Sequence, residues 1–122
     1  MARILVVDDE PHIRRLVAFS LEKRGHEVAQ AEDGPEGIEY ARENLPDLIL
    51  MDVMMPMMTG FEAVETLKED ERTAGIPVIM LSAKSQEYEQ SEGLKRGAVK
   101  YVCKPFTPSV LGDVVAEVLG EQ

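Results

Sequence analysis

The chain has 122 residues, a formal net charge of −10, and 44% hydrophobic and 30% charged residues, which describes one ordinary globular domain able to bury about two-thirds of its unfolded surface without staples. Such acidity disfavours direct binding to nucleic-acid phosphates or to anionic membranes. The single Cys103 excludes an internal disulfide and points to a reducing cytoplasm, and no apolar run is long enough for a membrane span or a signal-peptide core.

Strands and helices alternate along the chain. Ile4–Val7 is short, apolar and β-branched, as a buried strand requires. Pro11 suits a first helical turn, and Ile13, Leu16, Val17 and Leu21 share one face before Gly25 stops the helix. Glu27–Ala31 reads as a weaker second strand. Asp33-Gly34-Pro35 then opens a helix carrying Ile38, Ala41 and Leu45, which Pro46 ends. Leu48–Met51 is the third strand, and a loop with Pro56 and Gly60 leads to a helix bearing Phe61, Val64 and Leu67. After Gly75-Ile76-Pro77 come the strand Val78–Leu81 and a polar helix from about Gln86 to Arg96, stopped by Gly97. Tyr101–Cys103 is a short fifth strand. The last helix runs from about Pro108 to Leu119, with Leu111, Val114, Val115 and Val118 inward.

This alternation predicts an α/β domain over residues 1–122: a doubly wound parallel sheet with right-handed crossovers and helices on both faces. In such sheets the site lies beyond the carboxyl ends of the strands. The strand ends carry Asp8 and Asp9, Asp52, Ser82, and Lys104 followed by Pro105. Singly, Ser82 reads as a helix cap and Lys104 as a surface lysine before a turn. Jointly, they are complementary groups delivered to one sheet edge.

If the first and third strands are neighbours, three carboxylates converge and repel one another. The repulsion is relieved by keeping one protonated or by binding a cation. Hard oxygen ligands at a wet edge suit Mg²⁺ (or Mn²⁺). The only other candidate ligands, His12, His26 and Cys103, lack zinc-site spacing. A carboxylate beside Mg²⁺ can attack phosphorus and form an acyl phosphate, provided that positive charge and donors meet the phosphoryl oxygens. Lys104 and Ser82 supply them.

The ordered set Ile4-Leu5-Val6-Val7-Asp8-Asp9-Glu10, Asp47-Leu48-Ile49-Leu50-Met51-Asp52, Met55-Pro56 with Gly60, Pro77-Val78-Ile79-Met80-Leu81-Ser82-Ala83, Gly97-Ala98 and Tyr101-Val102-Cys103-Lys104-Pro105-Phe106 resembles the receiver (CheY-like) domain of two-component response regulators. The resemblance implies a flavodoxin-like sheet of five parallel strands in the order 2-1-3-4-5 with five helices. It implies Asp52 as phosphoacceptor from a sensor histidine kinase, phosphotransfer protein or small donor. It implies Mg²⁺ on Asp9, Asp52 and the Met54 backbone carbonyl, with Asp8 acting through water. Ser82 and Lys104 would contact the phosphoryl oxygens, Tyr101 would turn inward as Ser82 moves, and the Lys104-Pro105 bond would be cis. The signal would pass through helix four, strand five and helix five to a downstream output domain or protein.

The sequence also departs from the family's commoner patterns. Ser82 replaces the more frequent Thr, Val99-Lys100 stands where an acidic pair is common, and the last helix begins Pro108-Ser109-Val110 without basic residues. The Ser82 change implies looser coupling to Tyr101, and the other two features imply a monomer or weak self-association before phosphorylation. Met54 and Lys84 flank the site and cannot activate water, which implies a long-lived phosphorylated state. The methionines from Met51 to Met58 read as core and loop packing rather than a Cu(I) site. Other readings are a Mg²⁺-dependent phosphohydrolase with an aspartyl nucleophile, an FMN-binding flavodoxin relative, and a degenerate receiver that is never phosphorylated.

Overall fold

The computed structural model describes residues 2–83 and 87–120. Its elements are β1 (Arg3–Val7), α1 (Pro11–Glu22), β2 (Glu27–Ala31), α2 (Gly34–Asn44), β3 (Leu48–Asp52), α3 (Gly60–Glu69), β4 (Val78–Ala83), α4 (Glu87–Arg96), β5 (Lys100–Lys104) and α5 (Pro108–Leu119). The strands form one five-stranded sheet in the order β2-β1-β3-β4-β5, with every neighbouring pair parallel. The chain steps from β1 out to β2 and then back past β1 to β3, so the switch point lies between β1 and β3.

The continuous apolar strands are buried on both faces, and the two-residue period of a strand sorts their side chains between two cores. Leu5, Val7, Ile49, Met51, Val78 and Met80 pack with Ile38 and Ala41 of α2 and with Ala63, Val64 and Leu67 of α3. Ile4, Val6, Leu48, Leu50, Ile79, Leu81 and Val102 pack with Val17 and Leu21 of α1 and with Leu111 and Val115 of α5. Each fully buried valine, leucine, isoleucine or methionine among them stabilises the fold by roughly 1.5–3 kcal/mol. Because both faces are apolar, a register slip exchanges one core for the other instead of exposing either. Register is therefore pinned by the shapes of the two cores and by the loops.

Two residues expected to face inward do not. Leu16 is exposed because Val17, Ala18 and Leu21 form the buried stripe of α1. Leu45 is exposed because it lies past the last turn of α2, as a left-handed cap with φ 48° whose N–H donates to the Ala41 carbonyl. Gly25 has φ +95° in the turn after α1, which ends at Glu22.

The loop that follows β3 is tied down at its end. Thr59 and Glu62 form a capping box at the start of α3. The Gly60 N–H donates to the Val53 carbonyl at 2.8 Å. A Cβ on Gly60 would stand 2.1 Å from the Asp52 carbonyl oxygen and 2.9 Å from Met80 Cε. Gly60→Ala must therefore push the backbone of Asp52 aside. The substitution is expected to lower stability by about 2–3 kcal/mol in urea unfolding; an unchanged midpoint would contradict so tight an approach.

Candidate functional site

The strand register carries the reactive residues to one edge. Val7 pairs with Met51, so Asp8 and Asp52 follow side by side, while Asp52 pairs with Leu81, Ser82 with Cys103 and Ala83 with Lys104. Asp8, Asp52 and Lys104 continue the alternation of Val6, Leu50 and Val102. They therefore issue from the same face of the sheet. Ser82 and Tyr101 have the opposite parity.

The Lys104 ammonium is the hub. Its Nζ donates to Asp8 Oδ2 at 2.8 Å and to Asp52 Oδ1 at 3.1 Å, and lies 3.8 Å from Glu10 Oε1. Asp8 is fully buried and Asp52 nearly so. Asp8 is held from several sides: its N–H donates to the Ala31 carbonyl, its Oδ1 accepts from the Glu10 N–H at 2.9 Å, and its carbonyl accepts from Arg14 Nη1 at 2.5 Å. Two buried carboxylates sharing one cation form a site in which losing the cation would leave uncompensated charge.

Asp8, Asp9 and Asp52 each offer an oxygen within 4.8 Å of the others, the only such group of three or more His, Cys, Asp or Glu among the described residues. The donors are all hard oxygens, and Lys104 balances at most one of the three charges. The set fits a divalent cation of the Mg²⁺ kind. Asp9 is exposed at the rim. A 430 Å³ cleft over the cluster is lined by Asp9, Glu10, Asp52, Val53, Met54 and Lys104. The Met54 side chain is largely exposed at this cleft, beside the carbonyl expected to be a ligand. Lys84, the other residue expected to flank the site, lies outside the described residues.

Ser82 is fully buried, and its hydroxyl has no hydrogen-bond partner among the described residues. An idle buried hydroxyl typically costs about 1–3 kcal/mol. Tyr101 is exposed on the surface of β5 and borders a groove with Phe106, Val110 and Val114. The Lys104-Pro105 peptide is cis, as the resemblance implies. Cys103 is half-buried, and Met51 belongs to the core. Sequence reasoning gave no role to Glu10, whose contact with Lys104 depends on loop geometry. The available signal was a glutamate directly before Pro11, a place where helices prefer shorter capping side chains.

Residues 4–116 match the response regulator receiver domain. The chain belongs to that family. It is 42% identical over 119 residues to protein PilH of Pseudomonas aeruginosa, covering 98% of both chains. It is 43% identical over 109 residues to the phosphate regulon transcriptional regulatory protein PhoB of Escherichia coli, covering 89% of this chain but only 48% of that regulator. Among solved structures, chemotaxis protein CheY4 of Vibrio cholerae superposes with a TM-score of 0.91 at 36% identity, over 97% of this chain and 98% of that one. The receiver domain of Francisella response regulator 1452 gives 0.90 at 31% identity, over 98% of each. The chain is thus a receiver module of two-component signalling, a family of switches rather than of conventional enzymes. No helix among the described residues is long and apolar enough to cross a membrane.

Burial pushes the Asp52 carboxyl up from 3.8 to about 7; the Asp8 charge adds to the rise and Lys104 opposes it. For Lys104, burial acts to lower the ammonium, but its hydrogen bonds and charge contacts with Asp8 and Asp52 win and leave it raised. Folded Asp52 therefore keeps its proton where unfolded Asp52 loses it. Stability from this group is full below the unfolded value and is lost as pH rises toward and through about 7. In metal-free buffer, Asp52→Asn is expected to remove that slope and to exceed the parent above about pH 8 by on the order of 2 kcal/mol in urea unfolding. Parallel pH profiles for the two proteins would refute the assignment.

Proposed function

We propose that this receiver is a phosphorylation-dependent switch with Asp52 as the phosphoacceptor. The observation that carries the reading is the Lys104 ammonium held between buried Asp8 and Asp52 at the carboxyl edge of the sheet, in a chain of the receiver family. An Asp52 oxygen attacks the donor's phosphorus. The new P–O bond forms as the donor's P–N or P–O bond breaks, and that bond's electron pair leaves with the donor.

Each residue has a role in this reading. Asp9, Asp52 and the Met54 carbonyl would hold Mg²⁺ (or Mn²⁺) directly, and Asp8 through water. When bound, the ion supplies neutralising charge for the carboxylates and the phosphoryl oxygens. Lys104 moves from the carboxylates to a phosphoryl oxygen, and the unsatisfied Ser82 hydroxyl donates to another. A phosphoryl group adds roughly two negative charges. As Ser82 turns toward them it vacates space into which the Tyr101 ring moves, biasing the α4–β5–α5 surface between two packings.

The partners follow from that cycle: a sensor histidine kinase or phosphotransfer protein upstream, and an output domain or protein downstream, in the cytoplasm. Residues 1–122 are read as one receiver domain that is monomeric, or weakly self-associating, before phosphorylation. The phosphohydrolase reading has less support, because Met54 stands where a second acid would serve such an enzyme. The FMN reading has less still, because acids line the loop after β1.

Incubation with acetyl phosphate and Mg²⁺ is expected to add one phosphoryl group by intact-mass spectrometry. No gain is expected for Asp52→Asn or in the presence of a chelator. A phosphoryl adduct that survives the Asp52→Asn change would overturn the assignment. Once phosphorylated, the protein should lose its label faster when Met54 and Lys84 are replaced by small polar or acidic residues. An unchanged lifetime in that variant would count against shielding by these two side chains.

A further inference from the structure

Glu10 holds a position that its local role does not explain. It is the N-cap of α1, yet its side chain makes no capping hydrogen bond, and glutamate is not among the residues that N-caps favour. A residue that contradicts the local preference often serves a site. Here the carboxylate extends over the cleft, with Oε1 3.8 Å from Lys104 Nζ and Oε2 3.7 Å from His12 Nε2. The backbone of the same residue donates to Asp8 Oδ1 at 2.9 Å, so the loop that presents the Glu10 carboxylate is tied to the acidic cluster itself.

Lys104 is committed to Asp8 and Asp52. Those carboxylates belong to the group that could hold a divalent cation. A cation and an ammonium that share carboxylates repel each other strongly in a partly desolvated site. Lys104 must then yield, and an ammonium moved without a partner loses favourable charge contacts. Glu10 is the other carboxylate within reach, half-exposed at the lip of the cleft, close enough to interact and too distant to compete with Asp8 in the metal-free state.

We propose that Glu10 is a positioning residue that receives the Lys104 ammonium when a divalent cation binds the aspartates, and so couples cation binding to the placement of the lysine. The inference rests on the cation-binding reading of the site given above. Glu10 acts through Lys104 rather than by touching the reacting atoms. Its half-exposure keeps the coupling modest, since exposed ion pairs are weak. It is therefore an adjustable brake on the lysine and not a second anchor.

The test is a double-mutant cycle on Mg²⁺ binding, read by calorimetry without any phosphodonor, using the parent, Glu10→Gln, Lys104→Met and the double variant. Lys104→Met is expected to tighten binding by removing the competing cation. Glu10→Gln is expected to weaken Mg²⁺ binding in the parent about threefold more than it does in the Lys104→Met background. Equal weakening in both backgrounds would mean that Glu10 acts only as a nearby charge, and would overturn the inference. A parent that binds no Mg²⁺ would instead refute the underlying reading of the site. Circular dichroism of all four proteins shows whether each is folded. If Lys104→Met fails to fold, Lys104→Gln replaces it with the same expected non-additivity.

Discussion

The arrangement depends on one ammonium shared between two buried carboxylates. Lys104 reaches Asp8 and Asp52 from the far end of the chain, and neither acid could remain buried and charged without it. Its charge does not complete the neutralisation. Asp9 adds a third carboxylate at the rim, and burial with the Asp8 charge still holds the Asp52 carboxyl high. A site so loaded is receptive to added positive charge.

The sheet sorts the candidate site residues by strand parity. Asp8, Asp52 and Lys104 extend the face packed against α1 and α5. Ser82 and Tyr101 extend the other, toward α4. Ser82 lies at the end of β4 next to the Asp52 strand, and its buried hydroxyl has no hydrogen-bond partner among the described residues. Period-two alternation thus sends these strand-end residues to both faces of the sheet.

Much of this was legible in the sequence because each strand is a short apolar run closed by a reactive residue. Five strand–helix units and the convergence of Asp8, Asp52, Ser82 and Lys104 follow from that pattern once the strands are taken as parallel. The order of strands did not follow from it. Continuous apolar runs carry no label saying which neighbour they pair with, and the order came from resemblance to a family. Leu16 and Leu45 were misplaced for a related reason: helical spacing names a face, but tertiary packing decides where that face ends and where the helix stops. Glu10 stood out only as an unusual cap residue before Pro11; its contact with Lys104 was illegible because it joins a loop to a strand end far away in sequence, and no periodicity encodes such a meeting.

The most direct test of the central claim is a titration of ¹³C-labelled aspartate carboxyls followed by NMR in metal-free buffer. The charge cluster requires one carboxyl, absent in Asp52→Asn, to titrate near 7. If every aspartate in the folded protein titrates in the ordinary range near 4, Asp52 does not feel the burial and the Asp8 charge described here, and the account of the site fails.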